Sequence, residues 1–334
     1  MKNIVLLHNP RGIHYVHNAW AKSIGAKGIV DAHPYYLSFP VIARFFTTII
    51  NLFKIPKGTD FLICESGAYI FTGAIWKLLN KNKKMALFLA DPKLYYLLKK
   101  GRLVQKIYNW ALNKFDLFVA VSPLMASYVP EGLKSRTAIV PTFKTDKLKN
   151  VKPGLQNKNI MFMARISEEK GVDLLADVFI SIKEKFPESK LYVVGVSTFL
   201  FGQGNLRKRL EKKNIPGVVF TGRVSFVEDY MEKCSIYASL ARIDPAPVSV
   251  LEAMSQGLVP VVSKGVGNSY IVEMISKDLV VEKPEDAVKV ITSLWNSPQL
   301  LEQYSKRAIE LSTLYDEKKS VALFRQAIDK LLAD

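Results

Sequence analysis

Short apolar runs alternate with helix-length stretches, and the alternation runs through the chain twice. Residues 3–8, 61–64, 85–90, 117–121 and 138–140 read as buried strands, and residues 14–24, 35–54, 67–80 and 94–113 carry helical spacing. Residues 141–157 are polar and Lys-rich with Pro and Gly, and read as a linker. The alternation then restarts, with strands at 160–164, 191–194, 218–221, 235–240 and 258–263 and helices at 172–186, 206–213, 226–233 and 248–256. Two helices, about 299–314 and 317–332, close the chain. Strands separated by helices pair in parallel and need both faces covered. The expected fold class is α/β, with two doubly wound Rossmann-like domains facing a ligand cleft. The expected domains are 1–148, 149–315 and a C-terminal segment, 316–334, that packs back on the first.

Composition narrows the function. Of 334 residues, 49% are hydrophobic, enough for two cores. Cys64 and Cys234 stand far apart, without disulfide or zinc spacing. The apolar core of the first ten residues is too short for a secretory signal and reads as a strand. A cytoplasmic location is the expectation. Charge is asymmetric: residues 1–150 hold 22 Lys and Arg against 7 Asp and Glu, a balance of +15, whereas residues 151–334 hold 25 against 23, a balance of +2; together they make the chain's +17. A basic first half suits an anionic partner such as phospholipid, nucleic acid or a phosphorylated substrate. Residues 35–54 are the most apolar stretch, but Pro40, Arg44, Thr47, Thr48 and Asn51 interrupt it, which argues against a membrane span. It reads as an amphipathic helix, on the core or on a membrane surface.

Three stretches of the second half carry groups for binding an anion. Arg165 and Lys170 flank a loop that leaves a strand and enters a helix, a place suited to a diphosphate. Asp244 lies on a Pro-rich loop and Glu252 on the helix that follows it. Gly265 and Gly267 sit in a loop after the next strand, where backbone N–H groups can meet phosphate.

Together these stretches resemble the retaining GT-B glycosyltransferases of group 1, also called family 4-like. The family's Glu-x7-Glu pattern reads Asp244-Pro-Ala-Pro-Val-Ser-Val-Leu-Glu252, before Ala-Met and a Gly-x-Pro-Val-like strand start at Gly257 to Pro260. Its Gly-Arg-Leu…Lys-Gly loop reads Ala164-Arg165-Ile166…Lys170-Gly171. The resemblance covers the second half well and the first half loosely. It implies a nucleotide-diphosphate sugar as donor and a retaining transfer with no metal and no cofactor. Arg165, Lys170 and Asp244 would be catalytic. Donor contacts would come from Gly12, Arg165, Lys170, Asp244, Val248, Glu252, Val266, Gly267 and Asn268. Asp91 and His14 are the acceptor-side or base candidates, because Ala90 stands where the family often has His. The sequence departs from the family at Asp244, one methylene shorter than Glu, and in a glycine turn reduced to Gly12. The partners implied are a nucleotide sugar, a lipid-linked acceptor and an anionic membrane surface, on the inner face of the cell membrane. No nucleic-acid motif is present. The alternatives are a basic nucleic-acid-binding protein and another GT-B enzyme such as an epimerase.

Overall fold

The computed structural model describes residues 2–9, 13–31, 40–197 and 205–333. Contacts divide the chain into two compact units, Met1–Thr142 with Glu317–Asp334, and Phe143–Asp316.

In the first unit the strands are β1 (Ile4–His8), β2 (Lys27–Val30), β3 (Phe61–Cys64), β4 (Lys84–Leu89), β5 (Leu117–Ala120) and β6 (Thr137–Ile139). They form one parallel sheet in the order β2-β1-β3-β4-β5-β6. The helices are α1 (Tyr15–Ser23), α2 (Pro40–Lys54), α3 (Ile70–Leu79), α4 (Lys93–Leu98), α5 (Arg102–Leu112) and α6 (Pro123–Ser127). Central strands β3 and β5 are buried along their whole length, as continuous apolar runs in a covered parallel sheet must be. β2 is an exposed edge strand; with Gly28 in four residues it has no apolar run, so the sequence did not mark it. The stretch expected as one helix over 94–113 is two, because Gly101 adopts an extended conformation (φ −61°, ψ 156°) between α4 and α5.

The second unit repeats the plan with β7 (Asn159–Met163), β8 (Lys190–Val194), β9 (Val218–Gly222), β10 (Ile236–Ser239), β11 (Val259–Ser263) and β12 (Val280–Val281). Its helices are α7 (Val172–Lys185), α8 (Asn205–Lys212), α9 (Glu228–Met231), α10 (Val248–Ser255), α11 (Ser269–Val272), α12 (Asp286–Asn296) and α13 (Pro298–Ser312). The parallel order is β12-β11-β10-β7-β8-β9. From β7 the chain winds outward to β8 and β9; from β10 it winds the other way. The reversal falls between β7 and β10, which pair through Ile160 and Ile236. Ligands of doubly wound sheets bind at the carboxyl ends of the strands flanking such a reversal.

The last helix, α14 (Glu317–Ala333), belongs to the first unit. It packs on α1, where Trp20 stacks on Phe324 with ring centroids 5.5 Å apart. Trp20 Nε1 donates to Ser320 Oγ at 2.9 Å, and Ser320 Oγ donates to the Pro141 carbonyl at 2.6 Å. The division before Phe143 precedes the 148/149 boundary suggested by composition. The cause is hydrogen bonding: the amides of Lys149, Val151 and Gly154 donate to Glu228 Oε1, Gln256 Oε1 and the Cys234 carbonyl, all in the second unit.

Candidate functional site

Three loops meet at the carboxyl ends of β7, β10 and β11. After β7 come Arg165, a 3-10 turn at Glu168–Lys170, and Gly171, whose left-handed φ of 69° opens α7. A Cβ on Gly171 would lie 1.9 Å from the Leu240 carbonyl oxygen, so only glycine admits this approach. Arg242 then fastens the two loops. Its amide donates to the Glu169 carbonyl at 2.9 Å, and its guanidinium bonds both oxygens of Asp173 at 2.9 and 2.8 Å. On the other side, the Asp244 amide donates to the Gly265 carbonyl at 2.8 Å, and the Gly267 amide donates to the Asp244 carbonyl at 2.7 Å. A Cβ on Gly265 would come within 2.3 Å of the Ala241 carbonyl oxygen.

This backbone frame brings Lys170 and Asp244 together. Lys170 Nζ lies 2.6 Å from Asp244 Oδ2, with side-chain exposures of 15% and 8%. Arg165 is exposed, and among the described residues it has no hydrogen-bond or ion-pair partner. Of the three cations on these loops, Lys170 and Arg242 are matched by Asp244 and Asp173, and Arg165 alone is unmatched among the described residues. α10 begins at Val248 after Pro247, with no side chain capping it. The first amides of an α-helix lack intrahelical partners, so this start favours negative charge.

Two of the expected backbone donors are spent inside the fold. The Val266 amide donates to the Ser263 carbonyl at 3.1 Å, and the Gly267 amide is the one held by Asp244. These residues shape the site. The buried side chain of Asn268 is also occupied: its Nδ2 donates to the Pro247 carbonyl at 2.8 Å and fixes the start of α10. Glu252, on the same helix, has its carboxyl pushed up to about 7 by burial and by the nearby Glu228 carboxylate, with Lys144 opposing. Glu228 is itself buried, and no sequence motif marks it. The Tyr237 hydroxyl pairs with Ser249 Oγ at 2.8 Å beneath α10, and burial raises its pKa well above the usual phenol range.

The remaining expected residues lie in the first unit. Asp91 accepts from the Gly67 amide at Oδ2 and from the Lys93 amide at Oδ1, each at 2.8 Å. Burial pushes its carboxyl up, and both oxygens serve the backbone. His14 caps α1, accepting the Val16 N–H at Nδ1 over 3.4 Å. Gly12 lies outside the described residues. Glu65, which no motif marks, forms a buried pair with one of the candidate histidines: His17 Nδ1 is 3.0 Å from Glu65 Oε1, while Glu65 Oε2 accepts the Asn9 amide at 3.0 Å. Burial opposes ionisation of Glu65, yet the hydrogen bonds from His17 and Asn9 and the nearby imidazoles hold its carboxyl below the usual value. The signal was available, since Glu65 directly follows β3, which pairs with β1 at this sheet's own reversal. Among the described residues no group of three or more His, Cys, Asp or Glu is placed to hold a metal ion.

Parallel Rossmann-like sheets of this order, with charged loops at the reversal of the second, define the GT-B class of glycosyltransferases. Over the full length of both chains, the fold matches that of Anabaena HepE, solved in complex with UDP and glucose (TM-score 0.77, 15% identity). It also matches sucrose-phosphate synthase from Thermosynechococcus elongatus, over all of both chains (TM-score 0.80, 14% identity). In sequence, an uncharacterized glycosyltransferase of Haemophilus influenzae is 28% identical over 268 residues, covering 78% of this chain and 74% of that one. An alpha-monoglucosyldiacylglycerol synthase of Streptococcus pneumoniae is 26% identical over 154 residues, covering 44% of this chain and only 34% of that enzyme. The family model of glycosyl transferases group 1 matches residues 144–311, half of the chain, and the chain belongs to that family.

Proposed function

We propose that this chain is a retaining, metal-independent hexosyltransferase that moves a sugar from a nucleotide-diphosphate sugar to a lipid-linked acceptor at the membrane surface. The observation that carries the donor half is Arg165, exposed and without a partner among the described residues, on the same post-β7 loop as Lys170 of the Lys170–Asp244 pair. In this reading Arg165 and Lys170 hold the diphosphate, and the Val248 amide meets a phosphate oxygen. Asp244 contacts the sugar, and Glu252 accepts the ribose hydroxyls. HepE, bound to UDP and glucose on the same fold, makes a UDP-sugar the first donor to test.

In the proposed step the bond from the anomeric carbon to the diphosphate oxygen breaks, and the nucleoside diphosphate leaves with that electron pair. The acceptor oxygen forms the new bond on the same face of the sugar. Its proton passes to the departing phosphate oxygen, so the protein need supply no nucleophile. Arg165 and Lys170 stabilise the charge that grows on the diphosphate, the kind of preorganised interaction that dominates many enzymes' rate enhancement. The Streptococcus relative, named for a glucosylated diacylglycerol, supports the lipid acceptor, as does the basic first half.

The test is release of nucleoside diphosphate from UDP-, GDP- and ADP-hexoses in the presence of diacylglycerol-containing vesicles. One donor is expected to turn over, with Arg165→Ala at least about 100-fold slower, in the range lost with one transition-state donor. NMR of the product then reads the anomeric configuration. An inverted product overturns the retaining step, and no turnover with any donor on any lipid acceptor overturns the acceptor half.

A further inference from the structure

We propose that the outer face of α2, α3 and α5 docks on an anionic phospholipid bilayer. The proposal deepens the acceptor half of the function above and is independent of the donor assignment. In the sheet order, β2, β3, β4 and β5 are met in one direction. Right-handed crossovers therefore place α2, α3 and α5 on the same face. α3 and α5 touch there through Phe71 and Tyr108, ring centroids 4.7 Å apart.

α3 packs inward normally through Ile70, Ala74 and Trp76, but parts of this layer turn apolar side chains outward. A surface helix normally turns its apolar stripe inward. α2 instead buries Thr47 and Asn51, the latter donating to Asp31 at 2.6 Å, and exposes Phe46, Ile49, Ile50 and Phe53. These four fall at i, i+3, i+4 and i+7, one continuous stripe, with Phe53 86% exposed. α3 ends in Leu79, 74% exposed. α5 shows the same i, i+4, i+7 spacing outward in Leu103 (72% exposed), Ile107 and Trp110. Lys114 Nζ sits 5.7 Å from the Trp110 ring, the amphipathic pairing suited to a headgroup boundary.

Charge identifies the occupant. None of the three helices contains Asp or Glu, and there is no carboxylate between Asp91 and Asp116. Lys99, Lys100, Arg102 and Lys106 are all exposed along this rim. In a two-fold dimer through this face the same cations would oppose one another, which disfavours a second copy of the chain. The aliphatic stripe offers nothing to the polar edges of nucleic-acid bases. An apolar surface framed by cations matches a bilayer with anionic headgroups.

The experiment is co-sedimentation of the full chain with vesicles of phosphatidylcholine alone or mixed with phosphatidylglycerol. Wild type is expected to sediment with the mixed vesicles. The triple variant Leu103→Ser, Ile107→Ser, Trp110→Ser is expected to bind at least about tenfold more weakly, through lost apolar burial. Arg102→Glu with Lys106→Glu is expected to erase the preference for phosphatidylglycerol, each cation being worth about fivefold at such a surface. All the altered side chains are exposed, so the melting temperature and donor affinity should not change. The proposal is overturned if wild type stays in the supernatant, if the triple variant binds equally well, or if wild type is a dimer that the triple variant dissolves. Loss of donor binding with vesicle binding intact would overturn only the donor assignment.

Discussion

At the scale of single residues, the site is set by pairing in a dry environment. Lys170→Ala leaves the Asp244 carboxylate buried without its cation, and breaking such a pair costs about 3 kcal/mol. Adding Asp244→Asn removes the stranded charge and should recover most of that loss in urea unfolding of the second unit. Glu252 gives a pH signature of known sign. Its carboxyl is pushed up to about 7, so the folded protein holds a proton there that the unfolded chain releases near 4.5. The cost of ionising it in the fold is absent below pH 4.5, grows as pH rises through that window, and is complete above pH 7. Glu252→Gln should therefore match wild type at pH 4.5 and be the more stable at pH 8, by up to about 3 kcal/mol at 1.36 kcal/mol per pH unit. Melting curves across that range check it. That Arg165, Lys170 and Asp244 lie on loops, and Glu252 on a helix, following strands of one sheet was legible, because each sits at a fixed offset from a strand or a glycine. The Lys170–Asp244 contact and the Glu228 neighbour were not, because they join loops distant in sequence.

At the scale of elements, α14 completes the first unit. Phe324 and Trp20 are fully buried against each other, so Phe324→Ala opens a cavity costing about 3–4 kcal/mol. The N-terminal unit should lose that stability in thermal or denaturant melts, while the second unit's transition stays put. Gly171→Ala should do the reverse. Its left-handed φ and the 1.9 Å approach to the Leu240 carbonyl leave a methyl group no room, so the β7 loop must lift from β10. A stability loss of about 2–4 kcal/mol, with weakened donor binding, is the expected outcome. The strands with long apolar runs were legible, since a covered parallel sheet demands them. β2 and β12 were not: one is an exposed edge containing a glycine, the other only two residues long. The break at Gly101 was hidden because helical spacing continues on both sides of it.

At the scale of the whole molecule, charge and exposed apolar surface are unevenly distributed between the two halves. The first half carries nearly all the net charge and the outward apolar faces; the second, nearly neutral, carries the loop cluster at the β7/β10 reversal. The central claim is that this cluster binds a nucleotide-diphosphate sugar. Calorimetric titration of the full chain with UDP-, GDP- and ADP-sugars tests it most directly, on wild type, Arg165→Ala and Glu252→Ala. One nucleotide should bind, and each substitution should weaken it by about 10- to 100-fold, as expected for losing a charge-assisted hydrogen bond of about 1.5–3 kcal/mol. If no nucleotide sugar binds, or both variants bind as tightly as wild type, the donor does not sit at this cluster and the account is wrong at its centre.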